Sequence, residues 1–391
     1  MNFDSLRPFS FYEFFAGGGM ARLGLGDAWN CLFANDFDAK KVTSYRANFS
    51  GAPELFHGDV RGISSAQLPG RATLAWASFP CQDLSLAGSG AGLAGERSGV
   101  FWPFWNLMLS LKREGRNPPI IALENVAGLI TSHNGQDLTN LISSFAAADY
   151  RVGALLVDGA YFVPQSRPRL FIVALARGVA IPKGISGRVP NPSWHPQSLQ
   201  DVVDGLPPNA RKAWIWWKIP TPTHEAPHLS DIIEDIPEGV VWHSVAETTK
   251  LLLMMAPANI EKVREAQNSG IRQIGTIYKR TRKNIQRAEV RFDGVSGCLR
   301  TPAGGSSRQI IMVVEGQRIR SRLISPRETA RLMGLPESYS LPNRYNDTYH
   351  LTGDGVVVPA VEWIEQHVIR PIAISACRPK VHKRTLEVEF A

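Results

Sequence analysis

Short apolar runs separated by amphipathic stretches recur through roughly the first 175 residues, and this alternation restricts the fold more than any other feature of the chain. The runs "FSFYEFFAG", "NCLFAND", "ELFHGD", "TLAWASFP", "PIIALENV" and "RLFIVALA" have the length of strands, and several end in Gly, Pro or an acid. Between them "AKKVTSYRANF", "VFWPFWNLMLSLKREG" and "QDLTNLISSFAAAD" read as helices. Strands alternating with helices predict an α/β fold, with a mainly parallel sheet covered on both faces and ligands at the carboxyl ends of the strands.

At 391 residues the chain is longer than one hydrophobic core usually serves, so a second, smaller unit is expected. After about residue 178 the texture changes. "IPKGISGRVPNPSWHPQ" and "LPPNARKAWIWWKIPTPTHEAPH" are rich in Pro and Trp and poor in periodicity, which predicts an irregular module. Within it "IYKRTRKNIQRAEVR" sets Lys279, Arg280, Arg282, Lys283, Arg287 and Arg291 against Glu289 alone, the densest positive run, readable either as a solvated helix face or as a nucleic-acid contact. Further on, "SPRETARLMGLP" begins with a Ser-Pro-x-Glu helix start, and "VVVPAVEWIEQHVIRPI" suggests a strand-to-helix segment returning to the first unit.

The formal charge of +8 points toward a polyanionic partner, although ribosomal contact, a membrane surface or solubility alone give the same balance. The start "MNFDSLRPFSF" has an acid and a proline where a secretory leader needs a basic start and an apolar run. Apolar stretches such as "LLLMMA" are too short to span a bilayer, so a cytoplasmic location is expected. Cys31, Cys81, Cys298 and Cys377 form no C-x-x-C pair and none has zinc-ligand spacing to a histidine, so reduced thiols and no metal site are expected.

Three clusters carry chemistry. In "FFAGGGMARLGLG" the glycines after the first strand let backbone approach an adenosine-bearing ligand, but Arg22 stands where a dinucleotide fingerprint needs its third glycine. Asp36, at the end of the second strand, suits the two hydroxyls of a ribose, while Asp59 either reaches an adenine amino group or merely caps the next helix. An adenosine ligand without pyrophosphate contacts suggests S-adenosyl-L-methionine. Cys81 in "FPCQDLS" is core filler on its own statistics, yet backbone amides opening a turn after it would favour a thiolate nucleophile. Glu124 follows four apolar residues, where desolvation raises a carboxyl's pKa and lets it hold a proton at neutral pH. Arg167 and Arg169 in "QSRPRLFIVA" alternate along a strand and aim either at a phosphate or carbonyl of a ligand, or at loop carbonyls.

Taken in order, "FFAGGG", "FPCQDLS", "ENVAGL", "QSRPRLFIVA", "SPRETARLMGLP" and "LTGDGV" resemble the ordered blocks of the DNA cytosine-5 methyltransferases of bacterial restriction-modification systems. The match covers roughly residues 10 to 178 and 320 to 368. The resemblance implies a Rossmann-like sheet binding S-adenosyl-L-methionine, formed by residues 1–178 and 345–391, with 179–344 as an irregular target-recognition domain. It implies that Cys81 attacks carbon 6 of a flipped cytosine, that Glu124 holds and protonates the ring, that Arg167 fixes the base carbonyl and that Arg169 braces the neighbouring loop. Phe15, Gly17, Gly19, Asp36, Phe37, Asp59, Val60, Pro80 and Val100 match positions lining the donor pocket, with Asp354 and Gly355 as further donor contacts; Asn125 and Gln165 match positions that hold loops. Double-stranded DNA is the implied partner, with a monomeric enzyme and a companion restriction endonuclease.

The sequence also departs from that pattern. Met20 follows Gly19 where a further glycine is usual, Glu13 replaces an aspartate, Gly353-Asp354-Gly355-Val356 replaces "GNSV", and Cys298 stands where threonine is common. Among other activities, a dinucleotide oxidoreductase lacks its third glycine, and a zinc cytidine deaminase lacks the second cysteine of its P-C-x-x-C. RNA cytosine-5 methylation by the same chemistry is the nearest alternative, and a catalytically silent DNA-binding protein is a third. The small, glycine-rich stretch 83–99 directly after the nucleophile reads as a loop that closes over the flipped base.

Overall fold

The computed structural model of the chain describes residues 8–80, 98–282, 285–301 and 308–377. Cys81 and most of the 83–99 stretch lie outside the described residues. The first unit runs β1 (Phe9–Phe14), α1 (Met20–Leu25), β2 (Trp29–Asp36), α2 (Ala39–Asn48), β3 (Leu55–His57), β4 (Leu74–Ala77), α3 (Phe101–Arg113), β5 (Ile120–Val126), α4 (Gln136–Ala147), β6 (Tyr150–Asp158) and β7 (Pro168–Ala176). These strands form one sheet in the order β3-β2-β1-β4-β5-β7-β6. All neighbours are parallel except β7, which runs antiparallel to both β5 and β6. The alternation read from the sequence therefore gives the expected parallel-rich α/β sheet.

Side-chain alternation along each strand feeds two cores, one per face. In β5, Ile120 and Ala122 join one core and Ile121 and Leu123 the other; Trp76 and Ala77 divide likewise in β4. The first core is covered by α1, α2 and the helical segment from Val358 to Cys377, through Met20, Tyr45, Val361 and Ile369 among others. The second is covered by α3 and α4 through Phe101, Phe104, Leu138 and Phe145. The segment after residue 357 thus returns to the first sheet as expected, but as helix rather than strand then helix, because Val358 begins a helical turn with Pro359 in its first turn.

Strand β6 is absent from the sequence reading because Gly153 and Ala154 interrupt its apolar run. The structure shows why a glycine stands there: a Cβ at position 153 would lie 2.2 Å from the carbonyl oxygen of Ile215. The Trp-rich segment presses on this edge, with Ile215 N–H bonded to Val152 O at 2.9 Å and Trp194 and Trp217 fully buried. That segment contributes a two-residue ribbon, β8 (Ser186–Gly187) with β9 (Trp216–Trp217).

The positive run corrects the helix-face reading. It forms an antiparallel hairpin, β10 (Gln273–Arg282) and β11 (Ile285–Arg291), inside a four-stranded sheet completed by β12 (Ile310–Glu315) and β13 (Arg318–Leu323) in the order β11-β10-β12-β13. Ile277, Ala288 and Val290 are buried beneath it, a period-two signal hidden by the charges between them. The middle segment is consequently regular over these strands, where irregular structure was expected.

The helix Pro326–Arg331 starts as its sequence predicts. Ser325 caps it, accepting from Glu328 N–H at 3.1 Å, while Glu328 returns a carboxylate to Ser325 N–H at 2.7 Å. Glu328 also takes both ends of the Arg322 guanidinium, at 2.7 and 2.6 Å, and both side chains are fully buried. This pair fastens β13 to the helix. Arg322→Met would strand a buried carboxylate, so it should lower the unfolding free energy at neutral pH by about 3–5 kcal/mol in urea titration. A loss under about 1 kcal/mol would show that the pair carries no such weight.

Candidate active site

The strand order reverses between β1 and β4, so the chain leaves their carboxyl ends in opposite directions and opens a crevice there. After β1, Phe15 (φ 56°) and Gly17 (φ 57°) both take left-handed backbone, which is costly for a phenylalanine and free for a glycine. Asp36, at the end of β2, holds this turn: Gly17 N–H donates to Oδ2 at 2.7 Å and Asp38 N–H to Oδ1 at 2.8 Å. A Cβ at Gly17 would meet nothing within 4 Å, so the turn is open to an occupant. Next to Asp36, the Phe37 ring is 73% exposed.

Other expected pocket residues serve the protein more visibly. A Cβ at Gly19 would lie 2.2 Å from the Phe49 ring, so packing under that ring requires this glycine. Asp59 caps the short helical turn Val60–Gly62 by accepting from Arg61 N–H at 2.8 Å, the helix-cap alternative, and Val60 is buried behind it. Pro80 is exposed just past β4, and Val100 sits half-buried before α3.

Chemistry gathers at the ends of β4, β5 and β7. Glu124 is buried at the end of β5, where it meets Arg169 Nε at 3.1 Å. Burial pushes its carboxyl above the usual range, while Arg169, Arg167 and a hydrogen bond from Ser78 pull it back. Asn125 donates to Phe79 O at 3.2 Å and so pins the backbone two residues before Cys81. Gln165 donates to Leu332 O at 2.7 Å and accepts from Leu299 N–H at 2.9 Å, joining the middle segment to the turn after helix Pro326–Arg331. Both side chains hold loops, as expected.

The two arginines divide differently from the expectation. Arg167 is 1% exposed and its terminal nitrogens are engaged by protein: Nη1 donates to Leu299 O at 2.9 Å and to Cys298 Sγ at 3.1 Å, Nη2 to Gly353 O at 2.8 Å and Gly355 O at 2.6 Å. Arg169 is the one that reaches Glu124. Proline at 168 starts β7, so residue 167 lies just outside the strand and points its fork elsewhere. Cys298 was not expected in the site at all. Burial alone would raise its thiol, yet Arg167, Arg169 and Arg300 hold it below its ordinary value.

A family model described as C-5 cytosine-specific DNA methylase matches residues 9–370. The chain belongs to the C-5 cytosine-specific DNA methylases. It is 24% identical over 362 residues to the Type II methyltransferase M1.ScrFI of Lactococcus lactis subsp. cremoris, covering 91% of this chain and 77% of that protein. It is likewise 24% identical to the Type II methyltransferase M.HhaI of Haemophilus parahaemolyticus, covering 92% and 93%. The fold is shared with the S. pombe Dnmt2 methyltransferase (TM-score 0.57, 17% identity, 93% of this chain and 99% of that one). It is shared too with a Spodoptera frugiperda DNMT2 variant (TM-score 0.60, 17% identity, 92% and 99%). Among the described residues no helix is long and apolar enough to cross a membrane, and no group of acids, histidines and cysteines could hold a metal.

For a member of this methylase family the sequence departures now acquire physical reasons. A Cβ at Gly355 would lie 2.2 Å from Met20 Sδ, so the larger residue in the glycine block and the smaller one in the last block fit together. Asp354 pairs with Lys41 of α2 at 2.7 Å, tying the last block to the helix that follows Asp36. Arg22, in the place of a third glycine, binds Glu54 and donates to Tyr45 Oη at 3.0 Å, while that hydroxyl donates to buried Glu13 at 2.9 Å. Burial raises the Glu13 carboxyl from 4.5 to about 7, against the pull of Tyr45 and Arg22.

The unfolded chain releases the Glu13 proton near 4.5 and the folded chain only near 7. Between those values the unfolded state binds fewer protons, so this group's contribution to stability falls as pH rises. Relative to Glu13→Gln, the unmodified chain should lose roughly 3 kcal/mol between about pH 4 and about pH 8, read from urea midpoints at each pH. Parallel pH profiles for the two proteins would refute the assignment.

Proposed function

We propose that the chain is a DNA (cytosine-5-)-methyltransferase that transfers a methyl group from S-adenosyl-L-methionine to carbon 5 of a cytosine flipped out of a specific duplex sequence. The observation that carries this reading is buried Glu124, held by Arg169 and Ser78 at the carboxyl edge of the sheet, on the strand next to the one that leads into Pro80 and Cys81. A proton-holding carboxyl beside a guanidinium suits the amide-like edge of a cytosine.

The crevice fits an adenosine. The open turn at Gly17 lets backbone approach, Asp36 keeps acceptor capacity beyond its two backbone bonds, and the exposed Phe37 ring offers a stacking face. Phe15, Asp59, Val60, Pro80 and Val100 border the same strand ends, and Gly19, Asp354 and Gly355 support it from behind through Phe49, Lys41 and Met20. The donor, when bound, supplies an electrophilic methyl on a sulfonium.

In this mechanism the Cys81 thiolate adds to carbon 6, forming a carbon–sulfur bond as Glu124 gives a proton to the ring nitrogen. The electron pair that reaches carbon 5 takes the methyl group, and S-adenosylhomocysteine leaves. Loss of the carbon 5 proton to water then expels the sulfur as thiolate, and the ring nitrogen returns its proton to Glu124, which restores the ring and the enzyme. Arg169, on Glu124, is the arginine suited to the base carbonyl, and Arg167 takes the bracing role, the reverse of the order expected from sequence.

Within residues 179–344 the recognition module is the part built on the four-stranded sheet, which presents the cross-strand pair Arg280 and Arg287 to solvent, while the Trp-rich part packs on the first sheet. Arg280 pairs with Glu289 on the same hairpin at 3.4 Å, and Arg287 stands exposed beside it, so the face keeps a net positive charge that suits a nucleic-acid duplex. By the same reading the enzyme works as a monomer in the cytoplasm beside a cognate restriction endonuclease.

DNA incubated with methyl-labelled donor, followed by base-resolution mapping, should reveal 5-methylcytosine at one recurrent sequence, with no label in a parallel transfer RNA. Cys81→Ala should abolish transfer while retaining DNA binding, and Glu124→Gln should slow it by about 10²–10⁴-fold. Turnover by Cys81→Ala at the unmodified rate, or label confined to the RNA, would sink the reading.

A further inference from the structure

Cys298 is brought to the candidate site by bonds that do not involve its own side chain. Ser296 N–H donates to Pro164 O at 2.7 Å, Ser166 N–H donates to Ser296 O at 2.8 Å, and Leu299 N–H donates to Gln165 Oε1 at 2.9 Å. The backbone on both sides of residue 298 is therefore tied to the segment that leads into β7, the strand carrying Arg169. A change of side chain at 298 leaves these ties in place, so the work of the sulfur can be separated from the holding of the loop.

The sulfur meets two guanidinium groups. It accepts from Arg167 Nη1 at 3.1 Å and from the side chain of Arg169, and its own proton points to Leu299 O at 3.4 Å. Arg167 is buried and Arg169 acts against its charge, while Glu124 meets Arg169 Nε at 3.1 Å. A polarizable sulfur that accepts from both forks offsets this repulsion, and the surrounding arginines in turn hold the thiol below its ordinary value. Arg169 also donates from Nη1 to Pro168 O at 3.0 Å, so it is gripped by its own strand, by Glu124 on β5 and by Cys298. The first two contacts belong to the first sheet, and the sulfur adds one from outside it.

We propose that Cys298 is a positioning residue of the methyl-transfer site, its sulfur bridging Arg167 and Arg169 so that the Arg169 fork stays fixed on Glu124 and ready for the carbonyl of the flipped cytosine. The inference rests on the methyltransferase reading and adds to it a side chain to which the sequence assigned no role. A threonine hydroxyl at this position can accept from the same two forks, whereas valine has the same shape and no acceptor.

Single-turnover methyl transfer is timed on a duplex carrying the mapped target at saturating S-adenosyl-L-methionine, beside the dissociation constant of the same duplex. Cys298→Val should slow transfer by about 10–100-fold, because a displaced fork misplaces the base, while the duplex dissociation constant stays within about threefold of normal. Cys298→Thr should transfer within about threefold of the unmodified rate. Should the valine variant fail to fold, Cys298→Ala against Cys298→Ser repeats the comparison with smaller side chains. Valine and threonine variants that transfer alike would make residue 298 a packing position, and a valine variant that loses duplex affinity alone would make it a DNA contact. Either result overturns the inference and leaves the methyltransferase reading standing. An unmodified enzyme that transfers no methyl group to DNA overturns that reading and the inference together.

Discussion

A buried guanidinium just before the first unit's last strand sets the geometry around the candidate site. Arg167 has almost no access to solvent, so its donors must be met by protein, and the acceptors come from residues 298–299 and 353–355, far apart in sequence. A lysine offers three donors on a flexible stem, whereas the planar fork spans acceptors on both sides at once. The cost of leaving a buried charge unmet makes the alternative arrangements expensive, and the chain is drawn into one.

Around that hub, four buried carboxylates differ in what holds them. Asp36 and Glu328 spend their oxygens on backbone N–H groups, and so hold turns rather than float as charges. Asp36, Glu124 and Glu13 are all buried, and desolvation raises all three. In the proposed reaction the shift on Glu124 has a use, because it lets the carboxyl hold a proton for a bound base. For Glu13 it is a cost borne by the Tyr45–Arg22 network that braces the helix behind the glycine turn.

The middle of the chain solves a different problem, that of presenting positive charge without losing a core. The hairpin β10–β11 buries Ile277, Ala288 and Val290 against the helices at Val245–Leu253 and Pro257–Asn268, leaving Arg280 and Arg287 outward. Strand alternation does this with few residues, since each charged side chain stands opposite an inward-facing apolar neighbour. The Trp-rich segment before it does not stand apart from the first sheet; Trp194 and Trp217 complete the core beside β6.

What could be read without coordinates was whatever local periodicity and short ordered blocks encode. Apolar runs bounded by Gly, Pro and acids marked β1 to β5 and β7, the Ser325–Glu328 box marked its helix, and the blocks around Cys81, Glu124 and Arg167 indicated the family. These signals survive because each lies within a few residues of its cause. Strand β6 did not, since the reason for Gly153 is a carbonyl sixty residues away in the chain. Nor did the hairpin, whose inward period was masked by charge, nor the burial of Arg167 against carbonyls of distant loops while Arg169 meets Glu124. The fit of Met20 to Gly355 and of Lys41 to Asp354 likewise existed only once two ends of the chain met. Local sequence determined which elements form; desolvation and packing between remote segments decided which side chain does what.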